Sequence, residues 1–133
     1  MKISYLVIGA VAGLGLASAA AAADSTLKAS LGGAGGGSGA VSVKVSDAGQ
    51  VCWDLTTKGL TDVVAAHIHK GASGANGPPV VPFTAPDASG ASKGCAAASA
   101  DVAKDLVANP ANYYVNVHTK TAPAGAVRGQ LSK

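Results

Sequence analysis

The feature that most constrains this 133-residue chain is a two-residue alternation of apolar and polar side chains. Val41, Val43 and Val45 are separated by single polar residues, and the same period runs through residues 112–119. Successive side chains of a β-strand point to opposite faces, so each segment predicts a strand with one buried face. Glycine and proline cluster between such segments, as is typical of turns. We expect an all-β chain of six to eight short strands in an antiparallel β-sandwich or barrel.

One segment instead predicts a short helix. Residues 99–108 carry apolar side chains at helical spacing, Ser99 or Asp101 can cap the start, and Asn109-Pro110 ends it. The chain contains no Glu, and all seven acidic residues are Asp, which argues against a helical bundle.

The same signals assign the other elements of the sheet. Residues 41–56 are expected to form a β-hairpin whose Trp53 points into the core, and residues 27–31 an edge strand. Residues 80–83 lie among prolines, which favours a second edge strand. Residues 86–94 are expected to form a loop.

The first 23 residues have the three parts of an export signal. Lys2 supplies the positive start, residues 6–16 are apolar and uncharged, and a run of small residues ends at Ala23. We expect cleavage after Ala23 and a secreted or periplasmic product that is not stably inserted in a membrane. An uncleaved N-terminal anchor is the alternative. Residues 24–133 are then expected to form a single domain.

The two cysteines are interpreted from that compartment. An even number of cysteines in a small exported protein predicts a disulfide, here between Cys52 and Cys95. In the chain-entropy model such a loop stabilises the native state by about 3–4 kcal/mol. A pair of metal or redox thiols is the alternative, although the separation fits neither CxxC chemistry nor a compact zinc site.

The three histidines are the residues that suggest chemistry. His67 and His69 share one face of a predicted strand, and His118 lies on another strand. If the two strands are neighbours, three imidazoles can form an open copper or zinc site. We favour the alternative in which these rings form hydrogen bonds to loop carbonyls and no cofactor is bound.

Other functional signals are weak. Ser73 lacks the spacing of a nucleophile elbow, so no catalytic residue is assigned. The net charge is +3 and the basic residues are scattered, which argues against nucleic-acid binding.

Two ordered blocks of the sequence resemble the chordin (CHRD) domain. The first is Ala66–His69 with the glycines and prolines that follow it, and the second runs from Asn109-Pro110 through Tyr113–Thr119 to Arg128–Leu131. The resemblance is to short exported microbial members of this family. It implies an immunoglobulin-like β-barrel or sandwich and an extracytoplasmic protein or surface partner, and it brings no settled catalytic activity.

We interpret the chain as an exported, non-enzymatic CHRD-domain module with a structural or protein-binding role. The alternative is a mononuclear copper- or zinc-binding protein that uses the three histidines, or a metal-dependent redox enzyme. We also expect Asn76, Asn116 and Arg128 to join the histidines in one polar cluster that holds the long loops on the sandwich.

Intact-mass measurement of the exported protein tests the predicted signal. We expect a product that begins near Asp24, because the small residues before it suit cleavage. A product that still carries residues 1–23 would show that the segment is retained.

Overall fold

A computed structural model describes residues 24–133, so the predicted export signal lies outside the described residues. These residues form eight β-strands, one α-helix and a short 3-10 turn over Pro110–Asn112. The elements are β1 (Ser25–Gly32), β2 (Ser38–Val45), β3 (Gln50–Lys58), β4 (Val63–Lys70), β5 (Pro79–Phe83), β6 (Ala91–Ala97), α1 (Ala100–Ala108), β7 (Tyr113–Thr119) and β8 (Val127–Gln130).

All eight strands belong to one antiparallel sheet in the order β5-β4-β7-β8-β1-β2-β3-β6. The terminal strands β5 and β6 pack against each other, so the sheet is a nearly closed barrel. The predicted all-β fold with one short helix is confirmed. Within residues 24–133, no helix is long and apolar enough to cross a membrane.

The core fills the barrel interior from one face of each strand. Val51 and Leu55 of β3 are fully buried, and Trp53 between them packs into the same core, as predicted. The Trp53 ring stacks on Phe83 of β5 with centroids 4.4 Å apart, and its Nε1 donates to Ser92 Oγ of β6 over 3.0 Å. These contacts close the seam where β5 meets β6.

Helix α1 begins and ends close to the predicted positions. Ser99 caps it, since its Oγ accepts a hydrogen bond from the Val102 N–H. Near the other end, Asp105 accepts hydrogen bonds from the Tyr113 hydroxyl and the Asn109 side chain. These two bonds hold the pKa of the Asp105 carboxyl below its ordinary value. The bond from Tyr113 also fastens the helix to β7.

Two predicted elements were wrong. Strand β1 is not an edge strand, because all eight of its residues pair with β2 and Gly32 also pairs with Arg128 of β8. The predicted loop at 86–94 is shorter, because residues 91–97 form β6 and pair with β3. Strand β6 lacks an apolar alternation, since only Ser92 on it is buried.

Cys52 and Cys95 are joined by a disulfide, as the sequence predicted. They lie directly opposite each other in the β3–β6 ladder, with Cα atoms 4.0 Å apart. Because β6 is a terminal strand of the sheet, the disulfide fastens that strand to the rest of the barrel.

Removing the disulfide by Cys52→Ala together with Cys95→Ala is expected to lower the free energy of unfolding by about 3–4 kcal/mol, since the unfolded chain gains loop entropy. Urea denaturation measures the change, and far-UV circular dichroism checks that the barrel still forms. An unchanged stability would show that backbone pairing and packing alone hold β6.

Candidate metal centre

Strands β4 and β7 are neighbours in the sheet, and this brings the three histidines to one outer face of the barrel. His67 lies directly opposite Asn116, and His69 lies directly opposite Tyr114. His118 follows Asn116 by two residues and therefore points to the same side of β7. The intervening residues of both strands point inward and are buried in the core.

The three rings are close enough to share one ion. One ring nitrogen of each histidine lies within 4.8 Å of the corresponding nitrogens of the other two. The ring centroids are 5.2 Å apart for His67–His118, 5.4 Å for His67–His69 and 5.5 Å for His69–His118. Nitrogens bound to a single zinc ion at about 2.0–2.1 Å are roughly 3.3 Å apart. Small ring rotations would bring the three nitrogens to that separation.

Two of the rings are oriented by backbone carbonyls of the covering loops. Nδ1 of His69 donates to the Gly77 carbonyl, and Nδ1 of His118 donates to the Pro123 carbonyl, both over 2.9 Å. A carbonyl can only accept, so Nδ1 carries the proton and Nε2 keeps its lone pair in each neutral ring. Metal-binding histidines are commonly oriented by such a hydrogen bond from the second nitrogen.

Unpartnered polar atoms are concentrated at this face. Within residues 24–133, the buried side-chain polar atoms without a hydrogen-bond partner are His67 Nδ1, His69 Nε2, His118 Nε2 and Asn116 Oδ1. Leaving one such atom unsatisfied costs about 1–3 kcal/mol. Four such atoms on two adjacent strands require partners, and an ion or ordered water is the kind of partner that satisfies them.

The surroundings favour neutral imidazoles. Burial lowers the pKa of His67 below its ordinary value, and the nearby His118 and His69 lower it further. Burial also lowers the pKa of His69, although its hydrogen bond to Gly77 opposes the shift. The neutral ring is the form that binds a metal ion.

A stack of side chains supports His69 from the side. The Tyr114 ring lies parallel to the His69 ring with centroids 5.0 Å apart, and the Arg128 guanidinium lies 3.4 Å from the Tyr114 centroid. The Tyr114 hydroxyl accepts a hydrogen bond from the Gly77 N–H over 3.1 Å. The carbonyl and the N–H of Gly77 are thus both hydrogen-bonded to this stack. A Cβ at this position would overlap the Lys70 carbonyl.

The structure divides the predicted polar cluster into two parts. Asn116 lies with the histidines and donates from Nδ2 to the Ala124 carbonyl over 3.0 Å. Arg128 instead donates to Asn76 Oδ1 over 3.2 Å and to the Ala72 carbonyl over 3.1 Å. Arg128 and Asn76 therefore tie the loop before β5 to β8 and support the histidine face through Tyr114.

Gln130 is a loop anchor that was not predicted from the sequence. Gln130 donates from Nε2 to the carbonyls of Gly71, Ala111 and Tyr113, at 2.8–3.2 Å. Its position two residues after Arg128 places both side chains on one face of β8, which was the available signal.

The fold and this site together define a small antiparallel β-barrel with a histidine cluster on its outer face. The CHRD domain family model matches residues 18–131, nearly the whole chain. The chain belongs to the CHRD domain family, and the predicted resemblance is confirmed. No curated protein and no solved structure matches the chain significantly.

The support of His69 by Tyr114 can be tested with Tyr114→Phe. This variant keeps the aromatic stack but leaves the Gly77 N–H without its acceptor, so we expect a loss of about 1 kcal/mol in unfolding free energy. Tyr114→Leu also removes the stacked ring and should lose more. Urea denaturation in the presence of chelator measures both, and equal losses would show that the hydroxyl contributes all of the stabilisation.

Proposed function

We propose that this protein is a mononuclear transition-metal-binding module whose protein ligands are His67, His69 and His118. The observation that carries the proposal is the set of three buried, unpartnered ring nitrogens, one from each histidine. The three rings also offer ligand nitrogens within 4.8 Å of one another. A cation between them would satisfy all three lone pairs at once.

A loop-anchoring role for the histidines explains only part of this arrangement. His69 and His118 do bond to loop carbonyls, as that interpretation expects. His67 departs from it, because its buried Nδ1 has no partner among the described residues. Anchoring also gives no reason for Nε2 of both His69 and His118 to be buried without a partner within residues 24–133.

The ligand set favours copper(II) or zinc(II). Neutral imidazole suits both ions, and the Irving–Williams order places copper(II) above zinc(II) for the same site. Both cysteines are used in the disulfide, so the candidate ligands include no thiolate. Three protein ligands leave a fourth coordination position for a small molecule.

We propose that this CHRD module is exported and has a binding role rather than an enzymatic one. The candidate ligand cluster contains only histidines, so it offers no carboxylate as a general base. Metal-dependent redox catalysis is the alternative. Val64, 49 % exposed, is the single exposed large hydrophobic residue within 24–133. A protein partner would therefore meet a largely polar surface.

Metal binding is tested on the purified protein without a polyhistidine tag. We expect one copper or zinc ion per chain by elemental analysis, and a thermal midpoint that rises with metal relative to chelator. Metal at 100 times its Kd stabilises the native state by about 2.7 kcal/mol. His67→Ala should lose this gain and keep its stability in chelator, because its Nδ1 makes no hydrogen bond.

Two further variants complete that experiment. His118→Ala should lose the metal gain and also about 1 kcal/mol in chelator, since the Pro123 carbonyl loses its donor. Val64→Ala, an exposed change on the same strand as His67, should keep the full metal gain. If both histidine variants lose the same stability with and without metal, the rings are loop anchors and the proposal is wrong.

A further inference from the structure

Asn116 brings a fourth unpartnered atom to the histidine face. Its side chain is only 5 % exposed, and Oδ1 has no hydrogen-bond partner within residues 24–133. Asn116 lies directly opposite His67 in the β4–β7 ladder. Side chains at such positions have Cβ atoms about 4.5–5.5 Å apart. The Asn116 amide and the His67 ring are therefore immediate neighbours on one face.

The other end of the amide fixes its orientation. Nδ2 donates to the Ala124 carbonyl, and since a carbonyl cannot donate, the nitrogen must lie on that side. Gly125 covers the amide so closely that a Cβ there would overlap Oδ1. The Gly125 N–H is already bonded to the Ala122 carbonyl and is not available to Asn116. In the proposed site His67 Nδ1 is a metal ligand and donates no hydrogen bond, so Oδ1 has no donor within residues 24–133 and can accept one from a bound ligand.

We propose that Asn116 Oδ1 accepts a hydrogen bond from the fourth ligand of the metal bound by the histidines. The site then selects small oxygen ligands that carry a proton, such as water, hydroxide or hydroperoxide, over ligands that carry none. This inference rests on the proposed function, because it requires a metal on the three rings. Asn116 is a positioning residue in this arrangement and not itself a metal ligand.

The selectivity depends on whether Oδ1 still has a hydrogen-bond donor after one ligand replaces another on the metal. A proton-bearing ligand satisfies both the metal and the amide oxygen. Azide at the same position satisfies the metal and leaves Oδ1 buried without a donor. The penalty for one unsatisfied buried acceptor corresponds to a loss of about tenfold or more in azide affinity. Removing the acceptor removes that penalty.

Azide titration of the copper(II)-loaded protein tests this inference, with the azide-to-copper charge-transfer band as the readout. Asn116→Ala is expected to bind azide about tenfold more tightly than the unsubstituted protein. Its copper affinity, measured by chelator competition, should fall by about tenfold, because the ligand bound to copper no longer satisfies a buried acceptor. Electron paramagnetic resonance should still show three nitrogen ligands.

Asn116→Ser separates the acceptor from the loop anchor. It loses the amide N–H that bonds to the Ala124 carbonyl, and its hydroxyl can turn to donate to azide as well as accept from water. We therefore expect it to bind azide at least as tightly as Asn116→Ala. A serine variant that binds azide as weakly as the unsubstituted protein, or an azide affinity unchanged by Asn116→Ala, would overturn the inference.

The remaining outcomes are equally decisive. An unchanged copper affinity in Asn116→Ala would overturn the inference, because the fourth ligand would then gain nothing from Oδ1. A changed set of ligands by electron paramagnetic resonance would overturn it by making Oδ1 a direct ligand or a purely structural group. Failure of the unsubstituted protein to bind copper or zinc would instead refute the proposed function. The two failures are therefore distinguishable.

Discussion

The antiparallel ladder between β4 and β7 determines both the core and the candidate site. Its inward residues Ala66, Ile68, Val115 and Val117 are completely buried. Its outward residues include the three histidines. A shift of one residue in the pairing would exchange the two faces of a strand, exposing the aliphatic residues and burying imidazoles in the barrel. Hydrophobic packing inside the barrel thus enforces the register that brings the histidines together outside it.

The same face sets stability against the proposed metal binding. Its four unpartnered atoms each carry a desolvation cost of about 1–3 kcal/mol when nothing is bound. Two of the three rings are held in place, His69 by the Gly77 carbonyl and the Tyr114 ring and His118 by the Pro123 carbonyl. In the proposed metal site these two rings would need little reorganisation to bind an ion. The destabilising atoms and the preorganised site are therefore one feature of the barrel.

Local patterns in the sequence predicted most of the strands but not all of their partners. The alternation of apolar and polar residues was sufficient to predict the β2–β3 hairpin and the burial of Trp53, since both depend on residues close in sequence. The central position of β1 and the strand at 91–97 depend on pairing with distant segments, which no local pattern encodes. The histidines are similar: the shared face of His67 and His69 was readable from their spacing, whereas their closeness to His118 required the β4–β7 pairing.

The seam between β5 and β6 gives the barrel an intrinsic optical reporter. Trp53 is the only tryptophan of the chain, and at that seam its indole stacks on Phe83 and donates its N–H to the Ser92 hydroxyl. Side-chain packing closes this junction, whereas hydrogen-bonded ladders join the neighbouring strands elsewhere in the described sheet. Parting of β5 from β6 would wet the indole and shift its emission to longer wavelength while the remaining ladders stayed intact. Fluorescence can therefore follow local opening of the barrel separately from its global unfolding.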